Sequence, residues 1–301
     1  MATYPKPFLS PSDLVVKLQS KGMVVSSPSD AEKAIREIGY YRLKGYFFFM
    51  IDPSTGNYLP NTNFEDALKR YEFDVKLSRM LFDYLLKIEV SIRARLVEAF
   101  RITGEPLVLN DPSFFREKKE YWDNTASIAS EIKRSSDAFI YHNYSTHDGL
   151  IPVWAAVEVL SYGTLSKIIK NMKNQSGASF SVLVNDYQFQ NSHGSMTVPS
   201  QDMFSSWTYT SSTLRNACAH GGRLYRRRFS IRPQIIDSDT FTPATPQTSD
   251  LYAGILSMKY LRPDDASWTA FSTGLKGLIA AYLPVIDIND LSFPADWMSH
   301  I

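Results

Sequence analysis

FEDALKRYEFDVKLSRMLFDYLLKIEVSIRARLVEAFRIT, residues Phe64 to Thr103, runs for 40 residues without a glycine or a proline. Leu81, Leu85, Ile88, Ile92, Leu96 and Ala99 recur in it at steps of four and three, the spacing of one helical face. The stretch reads as a long core helix, with Asp74 as the point where it breaks, and Gly104-Glu105-Pro106 stops it. Glu89 and Arg93 stand four apart in the favourable acid-first order. Two readings are open for them: a surface ion pair worth little, or a pair beside a functional site.

Upstream, the start through Pro11 reads as extended and proline-rich, and Ser12 to Ser20 as a short helix capped by Ser10 or Ser12. Ser29-Asp30-Ala31-Glu32 opens a second helix that runs to about Ile38. The apolar run Phe47 to Ile51 fits a helix or a buried strand equally, and Asp52 to Asn57 is a turn. Downstream, helices are expected from Asn124 to Phe139, from Pro152 with an interruption at Gly163, from Gln201 to His220, and over Asp250 to Tyr260 and Ala266 to Tyr282. Ser176 to Ser200 reads as a short helix and a polar loop, and Asp237 to Ser249, rich in Thr, Pro and Ser, as a loop. The expected fold is all-α, with at most a minor β element near the N-terminus or after Arg223. The organisation reads as an N-terminal helical and irregular segment over 1–60, a helical core over 61–235 and a C-terminal loop and helices over 236–301.

With 301 residues, 44% of them hydrophobic, the chain can bury a substantial core. A net charge of +1 excludes a histone-like polycation. The single cysteine, Cys218, excludes an intrachain disulfide framework. No signal-peptide pattern and no long apolar run is present, so a cytoplasmic protein with no membrane partner is expected.

Charge is distributed unevenly. From Met203 to Ile236 there are six arginines, no lysine and no carboxylate, so this window carries +6 and the remainder −5. It contains Leu214-Arg215-Asn216-Ala217-Cys218-Ala219-His220-Gly221-Gly222. Asn216 and His220, four apart, share a helical face, whereas Arg215 and His220 stand about 140° apart on an ideal helix. The pair can meet only at a non-ideal helix end, where the two glycines let the backbone turn. A histidine at a helix C-terminus is also a common stabilising feature through the dipole. The chemistry that fits such a group is RNA cleavage with no metal or cofactor. An imidazole takes the ribose 2′-hydroxyl proton or gives one to the leaving 5′-oxygen. An arginine stabilises the charged pentacoordinate phosphorus, and Asn216 orients the imidazole or holds a phosphate oxygen. One histidine does not easily serve as base and acid in one step, so the mechanism calls for a homodimer. Arg223, Arg226, Arg227, Arg228 and Arg232 read as RNA-binding phosphate contacts or as a solvated face. Cys218 reads as a packing residue, Trp154 and Tyr162 as core or as base-stacking rings, and Glu158 as a network partner or a solvated charge.

The Arg215-x4-His220 pattern, followed by polar Asn216 after the arginine, resembles the signature of HEPN domains. More of the chain resembles the Abi-like proteins of bacterial abortive infection (the AbiD/AbiF type). The matching pieces are Gly39-Tyr40-Tyr41-Arg42-Leu43-x-Gly45-Tyr46, Tyr71-x-Phe73-Asp74-x-x-Leu77, Ile88-Glu89-x-x-x-Arg93, Phe139-Ile140-x-His142, Pro152-x-Trp154-x-x-x-Glu158-x-Leu160-Ser161-Tyr162-Gly163-x-Leu165-Ser166 and Arg223-Leu224-Tyr225. They cover about residues 8 to 232. The resemblance implies a HEPN-type helical fold, a role in anti-phage defence, and metal-independent RNase activity by Arg215 and His220. It further implies a composite dimeric site, akin to the HEPN motifs of type VI CRISPR effectors, and in some relatives a small structured RNA as partner. Arg226 departs from the pattern, which usually carries Asn there. The competing expectations are a non-catalytic structured-RNA-binding protein and a HEPN module that binds another protein.

Overall fold

The computed structural model describes residues 6–174, 179–230, 232–239 and 250–301. The helices of the described residues are α1 Pro11–Ser20, α2 Pro28–Ile38, α3 Tyr40–Lys44, α4 Phe64–Arg101, α5 Lys118–Arg134, α6 Ala138–Thr146, α7 Val153–Val159, α8 Tyr162–Asn171, α9 Ser179–Val184, α10 Gln201–Ala219, α11 Leu251–Tyr260 and α12 Asp265–Tyr282. The all-α expectation holds. The β structure is a two-stranded antiparallel pair, β1 Phe189–Gln190 with β2 Met196–Thr197, plus isolated bridges such as Ile51 with Tyr58. The hairpin lies in the stretch read as helix and polar loop. Its turn is held by the Asn191 side-chain oxygen, which accepts from the backbone N–H groups of His193 and Ser195.

α4 is the axis. Its buried stripe of Leu77, Leu81, Leu85, Ile88, Ile92, Leu96 and Ala99 faces inward, as the spacing predicts. Asn63 caps it through an acceptor bond from the Glu65 N–H. The helix does not break at Asp74. That side chain continues the same inward stripe and spends its carboxylate on a distant segment rather than on its own backbone, so the helical ladder is undisturbed. α10 packs against α4, α8 and α11, while α9 and α12 cover other faces of α4. α10 is rich in Ser and Thr, which are poor helix formers. Thr208, Ser212 and Thr213 return their hydroxyls to carbonyls three or four residues back, which satisfies those hydroxyls within the helix.

Other boundaries shift for local reasons. Ser10 caps α1 in a reciprocal box with Asp13. Phe48–Met50 is one 3-10 turn followed by the bridging Ile51, neither a full helix nor a strand. The single helix expected from Asn124 to Phe139 is two. α5 ends at Arg134, and Ser135 and Asp137 bond each other in the turn before α6. The α7–α8 break falls at Leu160-Ser161 rather than at Gly163, because Ser161 caps α8 by accepting from the Thr164 N–H. The terminal residues 1–5 of the proline-rich start, 176–178 of the polar stretch and 240–249 of the expected loop lie outside the described residues, while Asp237–Asp239 forms a 3-10 turn. No helix among the described residues is long and apolar enough to cross a membrane.

Candidate functional site at the end of α10

α10 ends in a complete Schellman motif. The Gly222 N–H donates to Ala217 O at 2.8 Å and the Gly221 N–H to Cys218 O at 3.0 Å, with Gly221 at a positive φ of 59°. His220 is the C-cap. Its imidazole is exposed and makes no hydrogen bond to any described residue, while its N–H donates to Asn216 O at 3.1 Å. The turn is locked from outside as well, since the Arg42 guanidinium donates to Gly221 O at 2.7 Å.

The chain that leaves this turn is tied to α4 through Asp74. Its carboxylate accepts from the N–H of Leu224 at 3.0 Å, the N–H of Tyr225 at 2.7 Å and the hydroxyl of Tyr46 at 2.7 Å. Burial pushes the Asp74 pKa up, opposed by those donors and by the nearby Arg223 guanidinium. Arg223 donates to Gly45 O, and a side chain at Gly45 would occupy the space of that guanidinium. The Gly39–Tyr46, Tyr71–Leu77 and Arg223–Tyr225 segments therefore meet in one buried network that fixes where α10 ends.

A second network fixes Arg215. Glu89 is buried, and its two oxygens accept from Arg93 at 2.7 Å and from Arg215 Nε at 3.0 Å. The surface-pair reading of Glu89 and Arg93 is thereby replaced by a buried carboxylate shared by two arginines. Arg93 also donates to Val157 O at 3.0 Å and Leu160 O at 2.8 Å, so it closes the C-terminus of α7. Arg215 is half-buried, donates to Asn216 Oδ1 at 3.2 Å and lies 5.9 Å from the centre of the Phe82 ring. The structure thus brings Glu89, Arg93, Arg215 and Asn216 together. It gives Arg215 no bond to His220 within one chain.

The five following arginines are not uniform. Arg226, at a φ of 54°, pairs with Asp290 and lies 4.1 Å over Phe49. Arg227 lies 5.0 Å over Phe229. Arg228 is exposed and shares a small surface hollow with Asp250 and Asp290, and Arg232 is exposed. The window without carboxylates is thus met in three dimensions by acids from α4 and the C-terminal segment, which sequence proximity does not reveal. No group of three or more His, Cys, Asp or Glu side chains among the described residues is placed to hold a metal ion.

Cys218 is buried, and burial pushes its thiol pKa up to about 11. The thiolate is the reactive form. Alkylation of Cys218 by iodoacetamide at pH 8 is therefore expected to be about 100-fold slower in the native protein than in denaturant, measured by intact-mass labelling rates. Comparable rates would mean that this face of α10 opens readily.

The site is thus a helix end that presents an exposed histidine, with an arginine five residues earlier held by a buried carboxylate of the axial helix α4. The Abi-like protein family model matches residues 33–226, and the chain belongs to that family of abortive-infection proteins. No curated protein and no solved structure matches it.

Proposed function

We propose that the protein is a metal-independent endoribonuclease of the HEPN type, acting in abortive infection as a homodimer and held under control by a bound small RNA. The observation that carries this reading is the division of labour at the end of α10. Arg215 is oriented by Glu89, and His220 is presented to solvent on a turn that Arg42 and Gly221 make rigid. A phosphate at Arg215 receives the donors that stabilise a pentacoordinate phosphorus. The imidazole of His220 is free to take the 2′-hydroxyl proton. In-line attack of that oxygen on phosphorus expels the 5′-oxygen and leaves a 2′,3′-cyclic phosphate. The leaving oxygen needs a proton, and the His220 of a second copy supplies it. Asn216, exposed beside Arg215, holds a phosphate oxygen. Arg228 and Arg232, exposed beyond the turn, extend the contact along the backbone.

The test is incubation of purified protein with end-labelled single-stranded RNA in EDTA. The expected result is cleavage that leaves 2′,3′-cyclic phosphate ends, lost in Arg215→Ala. Absence of cleavage, with a discrete RNA that co-purifies and binds equally to Arg215→Ala, would favour a non-catalytic binder of structured RNA.

A further inference from the structure

Next to Arg215 lies a polar cleft of about 530 Å³, lined by Glu89, Arg93, Glu131, Arg134, Glu158 and Ser161 among others. Most of its polar groups are already satisfied. Both Glu89 oxygens are taken by Arg93 and Arg215. Glu131 accepts from the Ser161 N–H at 2.7 Å, the Ser161 hydroxyl at 3.0 Å and the Thr164 hydroxyl at 2.9 Å. Asp137 accepts from Ser135 at 2.7 Å. Glu158 differs: it is exposed and has no hydrogen-bond or ion-pair partner among the described residues. One helical turn earlier, on the same face of α7, stands Trp154, 54% exposed. The two rings with open core-or-stacking readings therefore separate, since Tyr162 is 1% exposed and belongs to the core.

We infer that Trp154 and Glu158 form a nucleobase subsite beside Arg215, and that it selects guanine in single-stranded RNA. An ionised carboxylate only accepts, so it needs a ligand edge made of donors. A phosphate in that position is repelled. Guanine presents two adjacent donors, N1–H and the 2-amino group, which match the two carboxylate oxygens. Adenine and cytosine offer one amino group beside a ring acceptor that the carboxylate repels. An exposed indole supplies the stacking surface that base recognition in single strands requires. α7 is anchored by Arg93, which is bound through Glu89 to Arg215, so the base-reading face and the phosphate-holding arginine keep a fixed spacing. This inference rests on reading the end of α10 as an RNA site.

The test measures binding without cleavage, by fluorescence anisotropy at low salt. The probes are labelled 2′-O-methyl hexaadenylate and the same chain with one central guanosine or inosine. The blocked 2′-oxygen cannot attack phosphorus, so a failure of catalysis does not affect the readout. Wild-type protein is expected to bind the guanosine probe about 10-fold more tightly than hexaadenylate, with inosine between them. Glu158→Gln is expected to remove the preference, and Trp154→Ala to weaken the guanosine probe by about 10-fold. Equal wild-type affinities, a preference that survives in Glu158→Gln, or no binding of any probe would overturn the subsite. If the preference holds while unmodified RNA is never cut, the subsite stands and the ribonuclease reading falls.

Discussion

His220→Ala is expected to lower RNA cleavage by about 1,000-fold while leaving the fold intact, the usual scale for removal of a positioned general acid or base. The imidazole is exposed and bonded to no described side chain, so its loss opens no cavity and orphans no partner. The C-cap backbone contacts belong to the N–H groups of His220, Gly221 and Gly222 and survive the change. What remains is the exposed ring's interaction with the helix C-terminus, a surface effect worth about 0.3–1 kcal/mol at most. A loss of cleavage of about 1,000-fold with a Tm within a few degrees of wild type would assign His220 to chemistry. A matching collapse of both would assign it to the structure of the turn. Mixing His220→Ala with wild-type protein then separates a composite dimeric site from two independent ones: a site that needs both imidazoles loses activity faster than the wild-type fraction falls, whereas independent sites lose it in proportion.

Asp74→Ala is expected to show the largest loss of stability of any single change near the site, about 3–5 kcal/mol by chemical denaturation. The substitution strips the acceptor from the buried N–H groups of Leu224 and Tyr225 and from the Tyr46 hydroxyl at once, and leaves Arg223 without its nearby negative charge. Orphaned donors cost more than the bonds they once made contributed. Asp74→Asn keeps an acceptor oxygen for the N–H groups and can meet the Tyr46 hydroxyl by reversing that bond, but it removes the charge near Arg223, so an intermediate loss is expected. A loss below about 1 kcal/mol in Asp74→Ala would mean that the 224–225 segment is not held by this carboxylate.

The long helix and the Gly221-Gly222 stop were legible because a single local rule decides each. The roles of Asp74 and Glu89 were legible in principle. Asp74 lies three before Leu77, and Glu89 four after Leu85 and three before Ile92, so both interrupt the apolar stripe on its inward side. A charge at such a position must find a buried partner, yet that rule does not say which one. The partners stand 150, 151 and 126 residues away in sequence at Leu224, Tyr225 and Arg215. The pairing of Arg226 with Asp290 was hidden for the same reason. Trp154 could be read either as core or as a stacking ring, because the sequence of this short helix does not show which of its faces is covered. The helix ends at Val159, and its buried face is Val153, Ala156 and Val157.

The span between Asp74 and its donors also sets an order of events during synthesis. Chains emerge from the N-terminus, so α4 is made long before the residues that satisfy its carboxylate. The Arg70 guanidinium waits longer still, for the carbonyl of Val285 at 2.6 Å. Arg226 waits for Asp290. A nascent chain that has reached Tyr225 but not Val285 therefore contains the Arg215–His220 motif with its Glu89, Arg42 and Asp74 contacts, and lacks only the bonds that Val285 and Asp290 add. The supports at Val285 and Asp290 are thus added last, to a helix and a turn whose other partners have long been made.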